Sequence, residues 1–205
     1  MLSPPRARQD ASDDPDAPTA DRLRALRARD SSAERWLLGA HWARVERILF
    51  RILGDVRHLE DLTQEVFVRV FSRIDDVTEP ESLKPFVTSV TVFVAREAIR
   101  KARRHRWLSF FADEDLPDVG AGDDADAREA LQAFYRVVGS LDADERVAFT
   151  LRFVEGLELS AVAAACEVSL ATIKRKLARA EARFLELCKR DEALSSWLEE
   201  GDRWA

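Results

Sequence analysis

Arg175 and Arg179 lie four residues apart in the stretch SLATIKRKLARAEARFLEL, so a helix puts them on one face with Ala171, Thr172, Ala178 and Ala182. That face suits a DNA groove. Alanines let a helix backbone come close, an arginine can make two parallel bonds to a guanine edge, and flanking cations such as Lys174, Lys176 and Arg183 suit phosphates. The other side of the helix is a seam of Ile173, Leu177, Ala180, Phe184 and Leu187 that would hold it on a scaffold. A second group of cations ends the stretch LKPFVTSVTVFVAREAIRKARRHRW, where Arg96, Arg100, Lys101, Arg103 and Arg104 precede Trp107 and Phe110. Cations track phosphates and rings stack on bases, so this too reads as a nucleic-acid surface. Either helix could instead be a solvated, charged face with no partner.

The elements that position these residues favour the first reading. Before Ser169, residues 160–166 form a short helix with Val162, Ala163 and Cys166 inward, followed by a turn at Cys166-Glu167-Val168. Ser169 is placed as the N-cap of the second helix, because its hydroxyl can accept from a free N–H of the first turn. Together these make a helix-turn-helix. Upstream, Asp142 and Glu145 have the spacing of a capping box for a helix through Phe153, which Gly156 ends.

The first half is also helical by periodicity. One long helix covers Ala33 to Leu53, with Trp36, Leu37, Ala40, Val45, Ile48, Leu49 and Ile52 on one face and Gly54 as its stop. A second covers His58 to Ile74, with Leu59, Leu62, Val66, Val70 and Ile74 as its core stripe. Asp61, Gln64, Glu65 and Val68 lie towards the other side. An apolar Val68 among carboxylates and an amide could be a docking patch for another protein or an ordinary acidic face. A third helix runs from Leu83 to about His105 with Pro85 in its first turn, although its β-branched run would also suit a strand.

Composition fits this plan. The 205 residues hold only 7 glycines and 7 prolines, so the chain reads as all-α, with two small helical domains and a helix-turn-helix in the second. Residues 1–32 read as a disordered tail with a short helix at its end around Leu23 and Leu26. Residues 33–107 form the first domain, 108–127 a flexible acidic linker, 128–190 the second domain and 191–205 a tail with Trp197 and Trp204. The net charge of −6 does not exclude DNA binding, because the cations are clustered. Cys166 and Cys188 are isolated and His41, His58 and His105 are scattered, so neither a metal nor another cofactor is assigned. The chain also lacks the motifs of an enzyme: no phosphate-cradling glycine loop, no HExxH, no nucleophile–base pair. With no stretch long enough to span a bilayer and no signal peptide, the expected location is the cytoplasm, without membrane insertion.

Taken together, the halves resemble an extracytoplasmic-function sigma factor of bacterial RNA polymerase. RILGDVRHLEDLTQEVFVRVFSRI and REAIRKARRHR are similar to that family's region two, and LDADERVAFTLRFVEGLELSAVAAACEVSLATIKRKLARAEARFLEL to its region four. The resemblance implies that Asp61, Gln64, Glu65 and Val68 dock on the clamp helices of core RNA polymerase. It implies that Arg96, Arg100, Lys101, Arg103 and Arg104 contact the downstream (minus-ten) promoter DNA as it is opened. It further implies that Ala171, Thr172, Lys174, Arg175, Lys176 and Arg179 read the upstream (minus-thirty-five) element, and that an anti-sigma protein holds the factor in check. Three departures from the family pattern stand out. Phe86 replaces a frequent tryptophan, Thr91 and Phe93 stand where small and amide residues are usual, and Glu167 occupies a turn position typical of glycine, where left-handed backbone would be strained. Two other readings remain open: a stand-alone helix-turn-helix regulator, and a sigma-like interaction protein that has lost promoter melting.

Overall fold

The computed structural model describes residues 18–54, 58–108, 125–191 and 194–195. Eight α-helices follow one another: α1 (Ala20–Arg27), α2 (Ser31–Leu53), α3 (Leu59–Ser72), α4 (Leu83–Leu108), α5 (Ala125–Gly139), α6 (Ala143–Phe149), α7 (Leu159–Ala165) and α8 (Leu170–Cys188). Among the described residues there is no strand. The β-branched run in α4 is helical because its apolar residues fall on one buried stripe: Val87, Val90 and Val94 are all at most 4% exposed. The expected acidic linker lies, apart from its ends, outside the described residues.

The N-terminal domain is a bundle of α2, α3 and α4, in which Trp42 stacks on Phe67 with ring centroids 5.6 Å apart. Its first element corrects the sequence reading, which left everything up to Ser32 disordered. Thr19 caps α1 by accepting from the Arg22 N–H, and Leu23 and Leu26 are buried against the bundle. The Arg22 guanidinium lies 4.5 Å from the Trp36 ring, and the Arg27 and Arg29 side chains donate to the carbonyls of Val77 and Phe71. Two leucines and three arginines together anchor an eight-residue helix too short to be stable in isolation.

In the C-terminal domain, Phe149 and Phe134 pack on Phe184 of α8 with centroids 4.7 and 5.7 Å away. The helix expected from Asp142 through Phe153 is irregular. Regular α6 ends at Phe149, and one π-helical turn covers Thr150–Val154, with the Glu155 N–H donating to the Thr150 carbonyl. The expected capping box is also missing: the Asp142 carboxylate makes no cap bond because it pairs with Arg103 of α4 at 2.9 Å.

The helix-turn-helix is present as read. The Val168 N–H donates to the Ala163 carbonyl, Ser169 Oγ accepts from the Thr172 N–H at 3.2 Å, and Glu167 sits at φ 54°. A left-handed residue with a Cβ costs about 1 kcal/mol.

The two domains pack directly on each other. Leu49, Ile52, Val94 and Ile99 share one buried cluster with Val147, Leu151, Val162 and Ile173. The polar part of the joint is built on long side chains. Arg146, 8% exposed, donates to the Ile52 and Leu53 carbonyls at the end of α2 (2.5 and 2.6 Å). The Glu155 side chain, 4% exposed, lies 2.7 Å from Arg51 and 3.6 Å from Arg47. Gly54, at φ 64°, closes α2 and leaves room for Tyr135, whose ring a Cβ there would approach to 2.8 Å.

Two stability changes follow. Leu26→Ala should cost about 2–4 kcal/mol if α1 is a true part of the core, and only tenths if it is a loose tail. Glu167→Gly should gain about 0.5–1 kcal/mol by relieving the turn. Denaturant unfolding followed by helical circular dichroism measures both.

Candidate nucleic-acid interface

The seam of α8 is buried at Ile173, Leu177, Ala180 and Phe184, which turns the opposite face outward. Ala171, Lys174, Arg175, Ala178 and Arg179 are exposed there and Thr172 is half-buried. Thr172, Arg175, Ala178 and Arg179 line a shallow depression of about 440 Å³. Arg179 is held loosely, with its Nε 3.4 Å from Glu145 and its side chain 69% exposed. Lys176 differs: only 17% exposed, its Nζ lies 2.6 Å from Asp144, so it faces the joint and not the open face.

The cations of α4 divide in the same way. Lys101 and Arg104 are exposed. Arg96, 16% exposed, has its Nε 3.1 Å from Asp144 without the alignment of a hydrogen bond, and its terminal nitrogens reach the Cys166 carbonyl at 3.4 Å. Arg100 lies 3.6 Å from Asp144. Arg103 donates to Asp142 at 2.9 Å and to the Leu141 carbonyl at 2.6 Å. In this arrangement the second domain therefore occupies three of the five α4 cations expected on DNA.

Asp144 is the centre of that contact. Burial raises its carboxyl, but the Lys176 hydrogen bond and the charges of Arg96, Lys176 and Arg100 outweigh it and hold the carboxyl below its ordinary value. The sequence gave no sign of this role, because Asp144 reads as an ordinary first-turn acid of α6. The cysteines behave as packing residues: burial pushes both thiols up, Cys188 to about 11 with help from Asp191.

A separate surface lies on α3. Asp61, Gln64 and Val68 are exposed and Glu65 is half-buried, with Val68 at 67%. The same face continues onto α4 through Phe93, 49% exposed, whose ring has the Arg69 guanidinium 4.9 Å from its centre. Arg69 is tied to Glu65 at 2.5 Å and to Glu97 at 2.6 Å. Arg69, Phe93 and Glu97 were not expected in this patch, although the four-residue spacing of Glu65 and Arg69 is a pairing signal. Thr91 has no access to a bound base. It is fully buried and donates to the Val87 carbonyl at 2.7 Å.

Known proteins match this architecture. Residues 37–105 match the family Sigma-70 region 2, and residues 131–184 match Sigma-70, region 4. The ECF RNA polymerase sigma factor SigC of Mycobacterium tuberculosis is 30% identical over 143 residues, 68% of this chain and 75% of that protein. The chain belongs to the extracytoplasmic-function sigma factors. The probable RNA polymerase sigma factor RfaY of Xanthomonas campestris is 33% identical over 145 residues, 67% of this chain but only 36% of that longer protein. In fold, the sigma factor RpoE of Bartonella quintana, solved with the anti-sigma factor NepR, aligns with a TM-score of 0.58 at 23% identity, covering 76% of this chain and 96% of that one. In this sigma factor α2, α3 and α4 make up region two, and α5 to α8 make up region four.

The lowered Asp144 carboxyl predicts an acid limb for the joint. Its ion pairs stabilise the folded chain fully above the ordinary value of 3.8, and that stability is lost as pH falls through the lower folded-state value. Comparing wild type with Asp144→Asn by thermal melts from pH 7 to pH 2.5 should show the variant less stable at neutral pH, with the difference vanishing at the acid end.

Proposed function

We propose that this chain is an alternative sigma factor that binds core RNA polymerase and directs promoter recognition, DNA melting and transcription initiation. The observation that carries the reading is the open face of α8. There Arg175 and Arg179 stand exposed between small residues on a helix fixed by a capped turn. A helix presented in this way fits a major groove, and two arginines there suit guanine edges of the upstream element, with Ala171 and Thr172 nearby and Lys174 towards the phosphates.

The exposed Asp61, Gln64 and Val68, with Glu65, are the docking residues for the polymerase. The α4 cations Arg96, Arg100, Lys101, Arg103 and Arg104 hold the downstream DNA while bases leave the stack. Unstacking costs a few kcal/mol per step, which a small acidic protein does not supply alone. Recruitment to the polymerase raises the effective concentration of both DNA-facing surfaces. The protein works where the polymerase works, in the cytoplasm, and an anti-sigma protein is its expected regulator. Among the described residues no helix is long and apolar enough to cross a membrane.

The test is run-off transcription from fragmented genomic DNA with core polymerase, with and without the protein. Discrete new start sites that depend on the protein are expected. Arg175→Ala and Arg179→Ala should each weaken them about 5- to 100-fold. Val68→Asp should abolish co-elution with the core enzyme on gel filtration while leaving the fold intact. Absence of both new starts and co-elution would leave a stand-alone DNA-binding regulator as the reading.

A further inference from the structure

The contact between the domains uses the cations that the proposed function needs. Asp144 alone engages Lys176 of region four and both Arg96 and Arg100 of region two, and Asp142 engages Arg103. Two carboxylates at the start of α6 thus stand where phosphates would stand for four cations.

The closed shape also conflicts with simultaneous reading of a promoter. The minus-ten and minus-thirty-five elements are about 25 base pairs apart, or about 85 Å along B-form DNA at about 3.4 Å per pair. A folded body of about 170 residues is only about 40 Å across. Reading both elements therefore needs the domains apart, and the chain has the reach. Residues 109–124 separate α4 from α5, and a chain of that length spans up to about 55 Å when extended.

Resting on the sigma-factor reading, we propose that this arrangement is a self-inhibited state of the free protein, latched by Asp142 and Asp144 on one side of the joint and by Glu155 on the other. Glu155 is the second latch because it is almost fully covered, and its partners Arg47 and Arg51 belong to α2. Both latches are ionic, so closure is reversible: each broken pair regains water on opening. Leu49, Ile52, Val147 and Leu151 give the closed form its apolar contact, while the carboxylates fix its register and cover the DNA-facing charge.

The experiment compares the full-length wild type with Asp142→Asn/Asp144→Asn, with Glu155→Gln, and with Glu79→Gln/Glu81→Gln as a charge-matched control away from the joint. Circular dichroism first establishes that each is folded. Small-angle scattering then reads compactness, and titration with a 30-base-pair duplex of random sequence reads DNA affinity as a function of salt. Both latch variants should raise the radius of gyration by about 5 Å or more. They should bind the duplex about tenfold tighter than the control, because the competent open fraction rises from a minority to nearly all. Their plot of log affinity against log salt should be steeper by about 2–3 units, one for each freed phosphate contact. A wild type already extended at low salt would overturn the proposal. So would folded latch variants that match the control in compactness, affinity and salt slope. Run-off transcription on the same proteins separates the two ideas. If wild type gives promoter-specific starts but the latch variants bind like the control, the sigma reading stands and the latch fails. If no protein gives starts, the sigma reading itself has failed.

Discussion

A guanidinium removed from water needs acceptors, and Arg146 finds them only across the joint. It belongs to region four, yet the carbonyls it satisfies close the last turn of α2 in region two. The match is mutual. The final carbonyls of a helix lack intrahelical donors and carry partial negative charge, so a buried cation there relieves both deficits. Leaving that cation buried without these partners would cost several kcal/mol. The position of region four on region two therefore depends on this bond, and the neighbouring features follow from it. Gly54 must leave the α2 terminus bare, Tyr135 fills the space beside it, and Glu155 comes within reach of Arg47 and Arg51.

The same geometry explains why one protein can carry two opposed charge patterns. The net charge of −6 coexists with concentrated cations because the acids that balance them are placed to be withdrawn. Some cations stay outward in every arrangement: Arg175 on α8, and Lys101 and Arg104 on α4. Others, Arg96 and Lys176 above all, are nearly covered while the domains touch. Exposure thus sorts the family's DNA-facing positions into a permanently presented set and a conditional one. The α3 patch around Val68 lies outside the joint and remains accessible throughout.

Much of this was legible in the sequence, and the reason is local. Helical period, the Ser169 cap and the Cys166-Glu167-Val168 turn involve residues within a few positions of each other, and spacing reports such contacts directly. The joint was not legible because its pairs are distant in sequence: Arg103 with Asp142, Arg51 with Glu155, Arg146 with Ile52. No periodicity links them. Asp142 illustrates the point. Its spacing to Glu145 is that of a capping box, but a stronger partner across the joint takes its carboxylate. Leu23 and Leu26 were underrated for a related reason. Two leucines in a polar segment offset too little entropy by themselves, and only the groove on the bundle and the arginine contacts around them make the helix persist.

The π-helical turn at Thr150–Val154 separates two properties that might otherwise be bound together. A π turn is an α-helix carrying one extra residue. Removing that residue would rotate everything after it by about 100° relative to α6. Glu155 would then swing away from Arg47 and Arg51, while Thr172, Arg175 and Arg179, set by the later turn and their own helix, would keep the same face. Strength of closure and choice of promoter are thereby encoded in different residues. A lineage can retune how readily such a factor opens without rewriting the genes it reads.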